Sequence, residues 1–429
     1  MKRLAILAII GLFSIRDLSA ADRLSQTEVI GAVLRQNPSI RAARANWEAM
    51  KKRVPQARAW EDPMAGVDVE RHGTTRFDTF SDAEWMIAQE IPISGKNLSR
   101  GRTATAEAAQ SFEELRRAVL DAISRARGAY FRLANGHAQL AINRENSDLL
   151  TQFAQISRVK YEAGIQTQSD VLLAETEVAK LGQTEADLER EVSDQESALN
   201  VLMNRPAEAP LAHPSALAFE PLRMSAEEVR RLALARRPEI ARAQKGVEAE
   251  QGRVQLARRQ WFPDPRVRVE GRQFNGASGI QEYDTGIFFN VPWINFSKYS
   301  AGVSEARNTL EKSRLDLEAA RSEVLGLVRD QLKKIETAAR NYQLFQNKIV
   351  PLARQTIEST RAGYVADKTG FLELITARRN LQDAQSAAFN HLAEHQVALA
   401  ELRAIIGVDP AASFDHGTAI RQTGAGPSK

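Results

Sequence analysis

The sequence predicts a mainly α-helical protein with β-hairpins, built from one unit that occurs twice along the chain. Three observations predict this fold class. A segment of about 70 residues aligns without insertions or deletions with the segment 200 residues later, and many of the aligned residues are identical. Between residues 92 and 206 lies a tract without proline in which apolar residues follow helical spacing. In each unit, short stretches alternate apolar and polar residues, as strands with one apolar face do.

The first residues, 1–21, are expected to form a secretory signal peptide. A basic start precedes the apolar run 4–15, and small residues follow up to the cleavage site expected after Ala20 or Ala21. A short membrane anchor is the alternative. About twelve apolar residues fall well short of the roughly 20 that a spanning helix needs, so we favour the signal peptide.

Composition excludes several kinds of site. The chain has no cysteine, which rules out disulfides, thiolate metal sites, cysteine nucleophiles and a lipid-bearing cysteine. Its net charge of +4 comes from acids and bases that are interleaved throughout. A nucleic-acid-binding protein would usually cluster basic residues on one face, so no nucleic-acid partner is expected. We find no phosphate-binding glycine loop and expect no cofactor.

Both units begin with the same pair of predicted helices. Ser25 and Glu28 form an S-x-x-E capping box in front of an apolar-periodic helix, and Ser225 and Glu228 repeat it. The identities continue with Val29 and Val229, Pro38 and Pro238, and Ala57-Arg58 and Ala257-Arg258. The predicted division of the chain is a signal peptide (1–21), a first repeat (22–210), a second repeat (211–410) and a flexible polar tail (411–429).

A β-hairpin is predicted after the second helix of each unit, with strands of about 9–10 residues. The first hairpin has a polar loop over residues 73–82. The apolar residues that alternate are Ala65, Val67, Val69, Trp85 and Ile87 in the first unit, and Val267, Val269, Tyr283, Ile287, Phe289 and Val291 in the second. Four strands cannot form a sheet without edges. They form either a small sheet that caps the helices or a share of a transmembrane β-barrel, which needs about this strand length and alternation.

Long helical tracts follow each hairpin. A helix over residues 96–161 would be on the order of 100 Å long, and its apolar seam is too narrow for a globular core. The seam residues are Leu115, Val119, Ile123, Ala126, Tyr130 and Leu133 on the incoming helix, and Val178, Leu181, Leu188, Val192, Leu199 and Leu202 on the outgoing one. Their heptad spacing predicts antiparallel coiled-coil packing. In the second unit, Pro351 is expected to kink or break the corresponding helix.

A tight turn joins the two long helices of each unit. In the first unit, Gly164 is expected to end the incoming helix, and Asp170 is expected to cap the outgoing one. The same pattern returns 203 residues later, where Tyr364 matches Tyr161 and Glu373 matches Asp170.

This order of elements resembles the TolC family of outer-membrane efflux proteins over nearly the whole chain after the signal. The resemblance is carried by the tyrosine, glycine and acid of the first turn, by their copy around Tyr364, and by Gln89 with Pro92 at the end of the first hairpin. Residues 89–96, QEIPISGK, most resemble the heavy-metal, CzcC-like branch of the family.

The resemblance implies a homotrimer in the outer membrane of a Gram-negative cell. Three chains would pool their strands into one β-barrel in contact with outer-membrane lipid, and their helices would form an α-barrel tunnel across the periplasm. Such a duct is not an enzyme. It passively conducts substrates, either metal cations or small toxic compounds, from an inner-membrane pump (RND-type) and a periplasmic adaptor to the outside.

The resemblance also implies roles for the two turns, which would close the inner end of the tunnel and dock onto the adaptor. The gate positions are Asp170, Tyr364 and Glu373, of which Glu373 would line the aperture. The positions at the periplasmic tip are Tyr161, Gly164, Thr167, Ser169, Asp367, Lys368 and Gly370. Two positions depart from the family: Asp367 stands where the family has glycine, and Thr376 replaces a second aperture acid. The ring at the aperture would therefore carry fewer charges.

Glu373 has two interpretations. Three copies around a narrow axis would form a ring of negative charge that favours cations. Alternatively, Glu373 is a solvated acid that the dipole at the start of its helix stabilises.

One segment, His391-Leu-Ala-Glu394-His395, is similar to an enzyme motif. It places two imidazoles one helical turn apart, as an inverted zinc-protease site does. At the spacing of 203 residues, these histidines match Leu188 and Val192 of the coiled-coil seam. We therefore expect packed seam histidines and no metal, with an incidental metal or pH-responsive site as the remaining alternative.

Two other functions are compatible with the sequence. A type I protein-secretion duct has the same architecture, because the pump largely selects the substrate. A periplasmic coiled-coil scaffold without a pore retains the repeats and the signal, but it leaves the amphipathic hairpins unexplained.

Overall fold

A computed structural model describes residues 23–70, 82–274, 276–366 and 368–409 of the protein. The predicted signal peptide and C-terminal tail lie outside these residues, as does most of the predicted loop 73–82. The described part is mainly helical with β-hairpins, as predicted, and the hairpins form one antiparallel sheet.

The helices of the two repeats follow one another in the same order. In the first repeat they are α1 (Gln26–Gln36), α2 (Pro38–Arg58), α3 (Lys96–Glu162) and α4 (Gln168–Leu202). In the second repeat they are α5 (Ala226–Arg236), α6 (Pro238–Arg259), α7 (Phe296–Leu344), α8 (Val350–Val365) and α9 (Phe371–Ile405). Together, α7 and α8 correspond to α3, so the predicted duplication is present in the arrangement of the helices.

Side-chain caps determine where the first helices begin. Ser25 accepts a hydrogen bond from the amide of Glu28, whose carboxylate accepts one from the amide of Ser25, so the predicted capping box is complete. Asn37 caps α2, whose first residue is proline. In the second repeat, Ser225 accepts the corresponding bond from the amide of Glu228.

The two hairpins join into a single sheet of order β1-β2-β3-β4. The strands are β1 (Met64–Glu70), β2 (Asp82–Glu90), β3 (Arg266–Phe274) and β4 (Glu282–Phe288). β2 of the first repeat pairs with β3 of the second, with Glu90 opposite Arg266. β4 ends at Phe288, earlier than the alternation up to Val291 predicts, because Phe288 lies opposite Arg266, the first residue of its partner strand β3. Pro265, just before Arg266, has no N–H for a strand ladder.

The register separates apolar from charged side chains. On one face, Ile87 lies opposite Val269, and Ile87 and Tyr283 are 62% and 72% exposed. On the other face, Glu84 forms an ion pair with Arg272. The predicted one-sided alternation is therefore confirmed, and the apolar face of the sheet is the exposed one.

Burial of the long helices follows the predicted seam. The seam residues of α3 are all at most 4% exposed: Leu115, Val119, Ile123, Ala126, Tyr130 and Leu133. α1 and α2 pack onto this part of α3 through Val29, Val33 and Ile40. A second apolar cluster lies at the turns, where Leu150 and Ala174 of the first repeat contact residues of α8 and α9.

Proline explains a difference between the repeats. α3 runs without interruption over 67 residues, whereas α7 ends at Leu344 and a π-helical turn, Phe345–Ile349, separates it from α8. Pro351 lies just beyond that turn. Because its ring clashes with the carbonyl four residues earlier, an α-helical turn is disfavoured there. The predicted interruption is confirmed.

In the described residues, no helix is both long enough and apolar enough to cross a membrane.

Candidate functional site

The first turn is built on one glycine. α3 ends at Glu162, after which the amide of Gly164 donates to the carbonyl of Tyr161 and the amide of Ile165 donates to that of Lys160, both at 2.9 Å. This pair of bonds is the Schellman motif. It requires the left-handed φ of +72° that Gly164 adopts. Glycine adopts this angle readily, whereas in other residues the Cβ atom comes too close to the adjacent backbone carbonyl oxygen.

Thr167, and not Asp170, caps α4. The hydroxyl of Thr167 accepts a hydrogen bond from the amide of Asp170 at 3.4 Å and donates one to its carboxylate at 3.0 Å. Asp170 is the third residue of α4, where a carboxylate faces the positive end of the helix dipole. The predicted role of Asp170 as the N-cap is therefore wrong, because a hydroxyl three residues earlier satisfies the same amide.

The second turn contains one of the corresponding hydrogen bonds, made by other residues. The amide of Lys368 donates to the carbonyl of Gly363 at 2.8 Å, which is the Schellman bond of this copy. Gly370 occupies the N-cap position of α9 and has no side chain to accept a bond. Glu373 is exposed and is the third residue of α9, as Asp170 is of α4. Asp367 lies outside the described residues.

Tyr364 joins the two turns. Its side chain is 3% exposed, and its hydroxyl donates to Gln166 Oε1 at 3.1 Å and lies 3.2 Å from Ser157 Oγ. Lys160 Nζ donates to the backbone carbonyl of Tyr364 at 3.2 Å and lies 4.4 Å from the centre of its ring. The matching residue of the first repeat, Tyr161, is 44% exposed.

The three predicted gate positions lie at the same end of the molecule but have different surroundings. Asp170 is bound by Thr167 of its own turn, and Tyr364 is bound by Ser157 and Gln166. Within the described residues, the structure does not bring Asp170 and Tyr364 together, and Glu373 stands in solvent.

Glu177 is a second link between the repeats at this end. It lies in α4, is 4% exposed, and accepts hydrogen bonds from Lys180 at 2.8 Å and from Arg379 of α9 at 2.7 Å. Burial acts to raise its pKa, but the bonds and charges of Lys180 and Arg379 outweigh burial, so the pKa of Glu177 lies below its usual value. The carboxylate is therefore charged at neutral pH and holds α9 against α4.

The surface of the two turns is partly apolar. Thr167, Ser169, Lys368 and Gly370 are exposed among apolar side chains that are also exposed. Those apolar side chains are Tyr161 (44%), Ile165 (64%), Leu172 (54%), Val365 (71%) and Leu372 (64%). Exposed apolar residues rimmed by polar ones mark contact surfaces.

A family profile described as outer membrane efflux protein matches residues 29–205 and 229–408, which is more than half of the chain. The chain belongs to the outer membrane efflux protein family.

Known relatives of this efflux protein agree with that assignment. The alkaline protease secretion protein AprF of Pseudomonas aeruginosa is 25% identical over 370 residues, which cover 82% of this chain and 75% of AprF. The outer membrane protein VceC of Vibrio cholerae has the same fold, with a TM-score of 0.78 at 17% identity over 89% of this chain and 96% of VceC. The open state of the outer membrane channel MtrE of Neisseria gonorrhoeae gives a TM-score of 0.77 at 19% identity, with 89% of each chain covered.

The efflux protein is thus an outer-membrane channel of a Gram-negative cell with a helical tunnel in the periplasm. The resemblance, fold class, localisation and main function expected from the sequence are confirmed. Channels of this family are homotrimers that work with an adaptor and an inner-membrane pump.

The zinc-protease-like histidines of the efflux protein have other partners. The ring of His395 is 1% exposed, and its two nitrogens lie 3.3 Å from the carbonyl oxygen of Ile335 and 2.9 Å from that of Glu220. His391 contacts the carboxylate of Glu394 at 2.9 Å. Both ring nitrogens of His395 face carbonyl oxygens, so neither presents a lone pair to a metal ion that His391 could also bind.

Sequence reasoning missed Ser157, Glu177 and Arg379. Ser157 had a signal, because it occupies a seam position after Leu150 and Phe153, where a polar side chain calls for a buried partner. Glu177 and Arg379 belong to different repeats, and no local pattern connects them.

Proposed function

We propose that three copies of this chain form one continuous duct, with the sheets closed into a barrel in outer-membrane lipid. The supporting observation is the sheet itself, in which one exposed face is apolar and the opposite face is charged. β1 and β4 lie at its borders, and a border strand needs a partner for its unpaired backbone groups. The strands of a second and a third copy supply these partners and leave the charged face toward water. Trp85 and Tyr283, 51% and 72% exposed, suit an aromatic belt at the lipid boundary.

At the other end, Asp170, Tyr364 and Glu373 control the aperture. Asp170 and Glu373 occupy the same third position of α4 and α9, and Glu373 is exposed. In a trimer, three copies of Glu373 surround the axis and favour cations over anions. Tyr364 holds the second turn against the first, so that the ring stays narrow at rest. The helix dipole stabilises Glu373 in either interpretation, and only the ring predicts an effect on ion passage.

The exposed tips dock onto a periplasmic adaptor and, through it, reach an inner-membrane pump of the RND type. The residues proposed for this contact are Tyr161, Gly164, Thr167, Ser169, Asp367, Lys368 and Gly370. Passage through the duct is passive, without a catalytic step or a cofactor.

Single-channel conductance in a planar bilayer tests the gate. We expect discrete, cation-preferring openings from the detergent-purified protein and larger or more frequent openings from Glu373→Ala. The matched control is Asp383→Ala, which removes an exposed acid from the same helix farther from its start and should leave conductance unchanged. Equal conductance of Glu373→Ala and wild type would reject the aperture role. A protein that stays soluble without detergent and never inserts would reject the duct.

A second candidate is a duct for secreted proteins, favoured by the similarity to AprF, which is described as a protease secretion protein. Two assays on a strain lacking this chain separate the candidates. Restored export of a secreted protein, with unchanged sensitivity to metals and toxic compounds, supports secretion. The reverse result supports efflux of small substrates.

A further inference from the structure

Two histidine rings from distant parts of the chain lie against each other. His137 belongs to α3, and His213 belongs to the segment that joins the two repeats. Their ring centres are 4.4 Å apart, with the planes tilted by 59°. His137 is half-buried and His213 is exposed, so solvent reaches the pair from one side.

The joining segment is held in place on both sides of His213. The amide of Leu24 donates to the carbonyl of His213 at 2.9 Å, and the amide of Ser215 donates to the hydroxyl of Tyr130 at 3.1 Å. The same hydroxyl donates to the carbonyl of Leu24 at 3.0 Å. Tyr130 lies in α3, two turns before His137. The backbone of His213 is therefore fixed over the helix that carries the other ring, which lowers the entropy lost when both rings bind one ligand.

The positive charge of Arg144, which acts on His137, is balanced nearby. Arg144 is bound by two carboxylates, those of Glu185 at 2.6 Å and Glu189 at 2.9 Å. A neutral imidazole offers one ring nitrogen lone pair as a metal ligand.

We propose that His137 and His213 form a site for a divalent transition metal such as Cu²⁺, Ni²⁺ or Zn²⁺. Neutral imidazoles are preferred ligands of these ions. Among the described residues, no group of three or more histidine, cysteine, aspartate or glutamate side chains is placed to hold a metal. Water therefore completes the coordination, and the ion exchanges with solvent. The bound ion fastens the segment between the repeats to α3. This site lies away from the gate and does not depend on the proposed gating.

A Cu²⁺ titration followed by electron paramagnetic resonance tests the site, because pulsed spectra count the coordinated imidazoles. The chain contains six histidines. The measurement uses protein without a histidine tag, stripped of metal and carrying alanine at His72 and His416. We expect one Cu²⁺ per protomer with two coordinated imidazoles. His213→Ala should retain at most one imidazole and bind about 100-fold more weakly, since linking two ligands gains about this factor.

His391→Ala is the matched control, because it removes another partly exposed histidine and should leave the spectrum unchanged. Since the side chain of His213 is exposed, His213→Ala without metal should melt at the same temperature as the unsubstituted protein. The site is rejected if His213→Ala binds Cu²⁺ as tightly as its parent, if the parent shows only one imidazole, or if His391→Ala removes the same signal.

Discussion

The hydroxyl of Tyr364 lies 3.2 Å from the hydroxyl of Ser157, although the two residues belong to different repeats. Ser157 is completely buried in α3, and Tyr364 is at the end of α8. The contact fixes the second turn against the helix that leads into the first, and Gln166 of the first turn accepts a further bond from the same hydroxyl. One phenol oxygen therefore connects three segments at the proposed inner end of the channel.

Replacing this tyrosine by phenylalanine should loosen the closed channel. Tyr364→Phe keeps the ring and removes both hydroxyl bonds, which leaves Ser157 with a buried hydroxyl that has lost a partner. We expect a loss of about 1 kcal/mol in the stability of the turn and more frequent openings in single-channel recordings. Tyr161→Phe is the control, since this matching tyrosine is 44% exposed. Identical recordings from both variants would contradict the role of Tyr364.

Removing the charge of Glu177 should weaken the contact between α4 and α9. Glu177→Gln replaces the carboxylate that Lys180 and Arg379 contact. Hydrogen exchange of α9 near Arg379 should become faster at neutral pH. Glu175→Gln, which changes an exposed carboxylate two residues earlier, should have a smaller effect. Unchanged exchange in Glu177→Gln would show that apolar packing alone holds these helices together.

The same carboxylate predicts a dependence of stability on pH. The pKa of Glu177 in the folded protein lies below its ordinary value of 4.5, so its stabilising effect is complete above that value and is lost as the pH falls through the lower, folded pKa. Melting temperatures of wild type and Glu177→Gln should differ at pH 7 and converge in acid below pH 4.5. A constant difference down to pH 3 would contradict the linkage.

Glycine at the first turn should be required for its backbone angle and not for space. A Cβ atom at Gly164 would meet no atom within 4 Å, but φ is +72°. Gly164→Val should therefore cost at least about 1–2 kcal/mol and reduce efflux in a complementation assay. Gly182→Ala, at an equally open position inside α4, should instead stabilise the helix by about 0.5–1 kcal/mol. If both substitutions left efflux unchanged, the docking role of the turn would be in doubt.

A charge on the apolar face of the sheet should impair assembly in the membrane. Ile287→Arg places a guanidinium on the face that we propose contacts lipid, which costs about 2–4 kcal/mol near the centre of a bilayer. Asp284→Arg changes a neighbouring exposed position on the charged face and should be tolerated better. The yield of trimer extracted from outer membranes measures the difference, and equal yields would argue against lipid contact.

The sequence predicted the helices and the turns well because local rules determine them. Gly164 ends α3 because few other residues tolerate its backbone angle. The heptad spacing around Leu133 identifies the residues of α3 that are buried in the apolar seam. The cap of α4 was harder to predict. Threonine and aspartate side chains are both able to accept hydrogen bonds from amides at an N-cap, and the backbone geometry of the turn places Thr167 there.

Contacts between the repeats escaped prediction for a different reason. Tyr364 and Ser157 are 207 residues apart along the chain, and the partner of a buried polar group depends on how two helices are aligned. A polar residue in an apolar seam signals that a partner exists, but it does not identify that partner.

The pairing of β2 with β3 has a consequence for how the protein folds. Glu90 lies opposite Arg266, and the whole of α3, α4, α5 and α6 lies between these two strands. Helices and hairpins form from local contacts and form quickly, whereas distant strands must wait for a costly closure of the chain. The first hairpin can therefore form before β3 has been synthesised. Until β3 pairs with it, β2 is an edge strand that can associate with another chain, so a chaperone that binds unpaired strands should be needed until the second repeat arrives.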